Sequence, residues 1–190
     1  MLAVMPRLPA AAAPPPGFSY RRDFITAEEE RAIVSGLEQL AFQNVEMRGQ
    51  VARRTVVHFG WDYDYEKFTV QRTAEPPELL RPLIARCEEA AEVESGALEQ
   101  ILIGRYPPGA TIGWHRDAPM FGVPVVGVSL AGHCVMRLRN EHEVWNQLLE
   151  PRSVYIIGGP ARTQWQHSIP PTKMLRYSVT MRVLKKGWKR

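Results

Sequence analysis

Cysteine is almost missing from this chain: Cys87 and Cys134 are its only two in 190 residues, and no paired spacing joins them. A disulfide framework or a zinc ribbon is not expected from that pair, and reduced thiols in a cytoplasmic protein are the plain reading. Long apolar runs are missing as well. No window approaches the roughly 18 uninterrupted apolar residues that a membrane-spanning helix requires. Gly, Pro and charged residues break every apolar segment, so no membrane partner is expected. Internal repeats are absent, and the one low-complexity tract is the stretch 1–17, rich in Ala and Pro and carrying Pro14-Pro15-Pro16. It is too short and too interrupted for a secretory apolar core and reads as a flexible arm.

What is present is a modest basic excess: 24 Lys and Arg against 20 Asp and Glu, a formal net charge of +4. This suits an anionic partner without demanding one. The length suits one domain with a substantial core, taken as 18–190. Thr26 stands three residues before Glu29, a capping box, and Ile33, Val34, Leu37, Leu40 and Ala41 follow at helical spacing, which predicts a helix over 26–41. A second helix begins near Pro76-Pro77 and carries Leu79, Leu80, Leu83, Ile84, Cys87 and Ala91 on one stripe. From Leu98 onward the texture changes to short alternating or β-branched runs at 100–106, 123–130, 133–139, 153–157 and 174–184, separated by Gly and Pro. Helices first and strands afterwards describe an α+β chain. In it 18–97 supplies N-terminal helices and a substrate lid, and 98–184 a barrel or jelly-roll core.

The segment Trp114-His115-Arg116-Asp117 and the later His167 carry the clearest chemistry. Residues two apart on an extended chain project to one side, so His115 and Asp117 can grip one ion together, with His167 as a third ligand. Two imidazoles and one carboxylate leave open positions on a metal, the facial triad of non-haem Fe(II) oxygenases; a closed zinc site would need a fourth ligand. In the last strand Leu175, Tyr177, Val179, Met181 and Val183 share one face, and Arg176, Ser178, Thr180 and Arg182 the other. A polar face is ordinarily the wet one. It is required inside a barrel if the interior holds a charged cosubstrate, which must be paired and hydrogen-bonded. Arg176 and Arg182 lie about 20 Å apart along an ideal strand. They cannot grip one carboxylate group together, but can address opposite ends of one dicarboxylic acid.

With these residues the chain resembles the AlkB-like family of Fe(II)- and 2-oxoglutarate-dependent dioxygenases. The resemblance spans roughly 98–184 and rests on Arg105-Tyr106-Pro107-Pro108-Gly109, Trp114-His115-Arg116-Asp117, Val128-Ser129-Leu130, His167 and Arg176-Tyr177-Ser178-Val179-Thr180-Met181-Arg182. It implies a double-stranded β-helix (jelly-roll) core with the N-terminal helices packed on one side. It also implies that His115, Asp117 and His167 bind the catalytic iron and that Arg176 takes the distal carboxylate of 2-oxoglutarate. Tyr106 would hydrogen-bond near that carboxylate, Ser178 would stand where it can hydrogen-bond, and Arg182 would lie by the metal-chelating end. The family's reaction decarboxylates 2-oxoglutarate with O2 and hydroxylates a substrate C–H bond. On an N-methyl group the hydroxymethyl product releases formaldehyde and leaves a repaired amine.

Three departures bear on the substrate. Gly104 stands where family members usually carry Asn, Ser178 replaces a frequent Asn, and Ala118-Pro119-Met120-Phe121 follows Asp117 without the acidic residue that repair members place there. The lid segment from Arg53 to Tyr65 mixes basic and aromatic residues, which base stacking and phosphate contact would use. Arg53, Arg54, Trp61, Tyr63, Tyr65 and Trp114 are therefore candidate substrate residues, with an ordinary hairpin packed on the barrel as the equal alternative. Asp62 or Asp64 is a candidate for the missing acid, and Trp114 and Trp165 could each wall the pocket or belong to the core. His58, His133 and His142 read as structural or surface histidines, and 185–190 as a solvated basic tail. The expected function is oxidative demethylation of alkylated bases in DNA or RNA by a monomer, a DNA-repair activity. The alternatives are the same chemistry on a protein side chain, a tRNA nucleoside or a small metabolite, or a non-catalytic jelly-roll binding module.

Overall fold

The computed structural model describes residues 13–47, 50–64 and 69–188. Thr26 caps α1 (Ala27–Leu37) as expected: its Oγ1 accepts from Glu29 N–H at 3.1 Å, while Glu29 Oε2 accepts from Thr26 N–H at 2.7 Å. The helix ends at Leu37 rather than at 41, although Leu40 still packs on the core. Thr26→Ala should therefore lower unfolding stability by about 1 kcal/mol, to be read from the urea midpoint. A single 3-10 turn (Glu78–Leu80) precedes α2 (Arg81–Ala90), whose first turn accommodates Pro82. On the predicted stripe Leu80, Leu83 and Cys87 are buried, whereas Leu79 is 41% exposed. Leu79 lies over Gly36 of α1, where a Cβ would collide with its Cδ2.

Antiparallel strands make up the rest. The large sheet contains β1 (Phe18–Arg21), β2 (Gln43–Met47), β3 (Gln50–Phe59), β6 (Gln100–Tyr106), β8 (Phe121–Leu130), β11 (Ser153–Ile157) and β13 (Arg176–Leu184), ordered β1-β11-β8-β13-β6-β3-β2. The small sheet contains β7 (Ile112–His115), β9 (Cys134–Arg139), β10 (Val144–Leu149) and β12 (Gln166–Ile169), ordered β10-β9-β12-β7. A hairpin of β4 (Trp61–Asp64) and β5 (Thr69–Arg72) stands apart, and α3 (Gly159–Thr163) links β11 to β12. The two sheets form a double-stranded β-helix, as expected. Residues 18–97 supply more than helices and a lid, because β1, β2 and β3 all pair into the large sheet. Residues 1–12 lie outside the described residues. The end of the supposed arm is fixed: Pro15, Pro16 and Gly17 carbonyls accept from Phe18, Ala161 and Gly158 N–H groups at 2.8–2.9 Å.

Two apolar layers flank the large sheet. One joins Leu37, Leu80, Leu83 and Cys87 of the helices to Ile101, Ile103, Val126, Val128, Val179 and Met181. The other fills the space between the sheets with Met136, Leu138, Leu149, Ile157 and Trp165. β13 is consequently buried on both sides, with Tyr177, Val179 and Met181 toward the helices and Arg176, Ser178, Thr180 and Arg182 toward the sheet interior. Its polar face is the inner one. Among the described residues no helix is long and apolar enough to cross a membrane.

Candidate active site

His115 ends β7, His167 lies in β12, and the two are register partners. Their rings stand side by side, with centroids 4.2 Å apart. Asp117, two residues past His115 where the chain leaves β7, brings Oδ2 to 3.9 Å from His167 Nε2. One ligand atom from each of the three residues lies within 4.8 Å of the others, so the group could hold a single metal ion. His115 Nδ1 is 2.9 Å from the Gly113 carbonyl, which only accepts. The proton therefore sits on Nδ1, and the Nε2 lone pair is free for a metal.

The electrostatics keep all three groups in their metal-binding forms. Burial, then the neighbouring His115, pushes the His167 imidazole down to about 3, and burial also lowers His115 against its bond to Gly113. Burial alone would raise the Asp117 carboxyl, but surrounding cations, chiefly Arg182, hold it below the usual carboxylate range. Arg182 donates Nε at 2.8 Å and a terminal nitrogen at 2.7 Å to the same oxygen, Oδ1, leaving Oδ2 on the histidine side. Its other terminal nitrogen donates to Gln100 Oε1 at 2.7 Å. Arg182 thus lies beside the triad, and its guanidinium is held there by Asp117 and Gln100.

Arg162 of α3 was not legible as a site residue. It is buried, and one terminal nitrogen donates to the carbonyls of Asp117, Ala118 and Phe121 at 3.3, 3.1 and 2.9 Å. It therefore fixes the loop that carries Asp117. Outer partners of this kind typically contribute 10–100-fold to metal affinity. Arg162→Met should weaken Co(II) binding by roughly that factor, measured by titrating the visible absorption of the cobalt form.

From the triad a cavity runs along the inner face of β13 and is lined by Leu102, Tyr106, Val125, Met136, Tyr155 and Arg176, among others. Arg176 is fully buried and lies over the Tyr106 ring at 5.1 Å; its Nε donates to Ser129 Oγ at 2.9 Å. Among the described residues both of its terminal nitrogens lack a hydrogen-bond partner. A buried guanidinium in that state is incomplete without an anion, and its fork matches a carboxylate. Two of the three family departures face each other, since Gly104 and Ser178 are register partners. A Cβ on Gly104 would meet Tyr106 Cε2 at 2.9 Å and Ser178 Oγ at 3.1 Å, so glycine admits the tyrosine ring and the hydroxyl together. Gly127 does the same for Tyr155, whose ring lies where a side chain would stand and whose hydroxyl meets Thr180.

The candidate substrate residues separate in space. Arg54 lines the cavity, and Arg53, on the other face of β3, is exposed beside Gly109. Trp61 and Tyr63 are 8% and 7% exposed and pack with Met120, Phe121 and Leu184. A base could not stack on either ring without displacing that cluster. The hairpin is packed onto the chain after Asp117, and Tyr65 lies outside the described residues. Asp62 directs Oδ1 to His58 Nδ1 and to Tyr63 N–H, at 2.9 and 2.7 Å. Trp165 belongs to the core between the sheets. Trp114 faces away from the cavity, beneath the guanidinium groups of Arg137 and Arg139.

Residues 17–183 match the model of the 2OG-Fe(II) oxygenase superfamily, and the chain belongs to that superfamily of enzymes, which use Fe(II), 2-oxoglutarate and O2. Within it the chain is AlkB-like. It is 31% identical over 172 residues to the bovine mitochondrial alpha-ketoglutarate-dependent dioxygenase alkB homolog 7, covering 88% of this chain and 71% of that protein. It is 26% identical over 186 residues to the Arabidopsis thaliana alkylated DNA repair protein ALKBH8 homolog, over 84% of this chain and 52% of the relative. Against the mouse tRNA (carboxymethyluridine(34)-5-O)-methyltransferase ALKBH8 it is 28% identical over 168 residues, which are 84% of this chain and 25% of the relative. The chain thus spans about half the length of the plant protein and a quarter of the mouse one. The structure of OsALKBH1 shares the fold, with a TM-score of 0.72 at 17% identity over 90% of this chain and 99% of that one.

Proposed function

We propose that this oxygenase oxidatively demethylates alkylated bases in DNA or RNA, with His115, Asp117 and His167 holding the iron and Arg176 the distal carboxylate of 2-oxoglutarate. The observation that carries the cosubstrate assignment is the buried Arg176 guanidinium, whose terminal nitrogens have no partner among the described residues, in the same cavity as the triad. The nucleic-acid assignment is supported by the alkylated-DNA-repair relative and by Arg54, a cation at the cavity wall. The reading extends to a monomer in the cytoplasm, a compartment with which the free thiols of Cys87 and Cys134 are compatible.

Bound Fe(II) with 2-oxoglutarate and O2 supplies the oxidising power for C–H hydroxylation. The chain's residues do the rest. His115 and His167 present neutral imidazoles, and Asp117 contributes the charge. Arg182 and Arg162 fix the carboxylate and the loop beneath it. Tyr106 and Ser129 position Arg176 for a bidentate carboxylate, with Ser178 beside it as a hydroxyl donor. Val125, Met136, Ile112 and Ile169 line the cavity with apolar surface that limits water around the reacting centre. Hydroxylation of an N-methyl group gives N–CH2OH, and collapse of its C–N bond returns the proton to nitrogen and releases formaldehyde.

A second reading directs the same oxidation to a modified tRNA nucleoside. It is favoured by the tRNA-modifying mouse relative and by Ala118, which leaves no carboxylate immediately after Asp117. Purified protein with Fe(II), ascorbate and 2-oxoglutarate should release formaldehyde from oligonucleotides carrying 1-methyladenine or 3-methylcytosine. Turnover on tRNA alone would transfer the assignment to the second reading, and no 2-oxoglutarate consumption under any condition would leave a binding module.

A further inference from the structure

The small sheet turns His115 and His167 inward, and strand alternation sends their chain neighbours to the opposite face. There Trp114 of β7 and Arg137 and Arg139 of β9 meet across β12. The guanidinium carbons lie 4.9 and 4.3 Å from the indole centroid. Beneath them, Arg137 Nε donates to Ser168 Oγ at 3.1 Å and Arg139 Nε to Gln166 Oε1 at 2.9 Å. Each arginine is thus held along the sheet by its Nε and by the indole face. Among the described residues neither forms an ion pair with a carboxylate.

A polar groove that includes Arg139 is lined also by Arg116, Asn140, His142, Thr163 and Gln164. Arg116 stands in sequence between two triad residues, and its terminal nitrogen donates to the Gln164 carbonyl at 3.1 Å. Among the described residues Glu141 is the only acid lining the groove. Within the small sheet β7 is an edge strand, so nothing pairs beyond it there to separate this outer face from the cavity side.

We propose that this outer face is a docking track for the phosphate backbone of a single-stranded nucleic acid. Arg116, Arg137 and Arg139 contact the phosphates while the target base enters the cavity around the β7 edge. The inference rests on the nucleic-acid reading of the active site and names a surface that reading does not use. Arginines pre-positioned on a tryptophan face lose little freedom on binding, and their terminal nitrogens match phosphate oxygens. A track that reads only the backbone is indifferent to sequence and sensitive to salt.

The test is fluorescence anisotropy with a labelled single-stranded 20-nucleotide probe, DNA and RNA, from 50 to 200 mM salt. R137A/R139A should bind about tenfold more weakly at the low-salt end, and its log–log salt slope should fall by about 1.4, or 0.7 per single-strand phosphate contact. R31A/R81A removes the same charge from exposed helical positions and should stay within about twofold of wild type by the same electrostatics. R137K/R139K keeps the charge without the planar fork and should retain the salt slope, which guards against a loss due only to damaged packing around Trp114. Wild-type affinity and slope in R137A/R139A would overturn the track while leaving the demethylase reading standing. Equal weakening by R31A/R81A would also overturn it, as a net-charge effect. A wild-type protein that neither binds nor demethylates any oligonucleotide would remove both.

Discussion

Asp117→Ala should cut 2-oxoglutarate turnover by about a thousandfold or more, the equivalent of roughly 4 kcal/mol of barrier, and should lower the melting temperature at the same time. The activity is lost because Asp117 is the only anion in the triad, and two neutral imidazoles hold a divalent ion poorly. The stability loss has a separate cause. Arg182 is about as buried as Asp117 and directs two nitrogens to Oδ1 at 2.7–2.8 Å. Removing the carboxylate strands that guanidinium, and breaking a buried pair typically costs about 3–5 kcal/mol. For a chain of this size that corresponds to a fall on the order of 10 °C. Asp117→Asn separates the two effects, since its amide oxygen still accepts from Arg182. Its melting temperature should lie between wild type and Asp117→Ala, with turnover still lost. Near-normal turnover in either variant would overturn the assignment of Asp117 as a ligand.

The residues that could be read from sequence are those whose position is set by local periodicity. β6 and β11 occupy the predicted spans, and β13 alternates as expected because it runs through the centre of the large sheet with a different environment on each face. The triad was legible for a similar reason: a His-x-Asp pair at the end of one strand needs only one distant partner. What escaped depends on contacts rather than on period. β1, β7 and β12 are four residues each, too short for a period of two to stand out, and are strands only because β11, β9 and one another pair with them. β3 carries the basic residues and β4 the aromatics that together read like a recognition surface, yet pairing with β6 makes β3 a sheet strand and turns Arg54, but not Arg53, inward. Arg162 reaches carbonyls 41–45 residues earlier in the chain, and no local pattern announces that. Gly127 and Gly104 offered a faint signal, a glycine inside a strand marking the close approach of another group. Trp114 is a candidate substrate residue by sequence, yet the same alternation that turns His115 inward places its neighbour on the outer face.

Arg176 should give the opposite stability response from Asp117, and this makes the pair diagnostic. Without a cosubstrate Arg176 is a fully buried guanidinium with two unpartnered nitrogens, and an arrangement like that costs the folded state. Arg176→Met replaces it with an apolar chain of similar reach, at the expense of one hydrogen bond to Ser129, about 1 kcal/mol. The ligand-free variant should therefore melt no lower than wild type. Function moves the other way. A charge-assisted contact to the distal carboxylate contributes on the order of 1.5–3 kcal/mol, so KM for 2-oxoglutarate should rise by roughly 10–150-fold. The triad is untouched, so kcat at saturating cosubstrate should fall far less. Thermal unfolding with Ni(II) as the inert metal tests both halves. Wild type at about 100 times its Kd for 2-oxoglutarate should gain about 2.7 kcal/mol, whereas Arg176→Met at the same concentration should gain little. A full 2-oxoglutarate shift in Arg176→Met would show that another cation holds the distal carboxylate, and a sharp loss of ligand-free stability would show that the guanidinium is already satisfied in the folded chain. The expected outcome, stability kept and cosubstrate lost, is the signature of a charge retained in the core for the anion it binds.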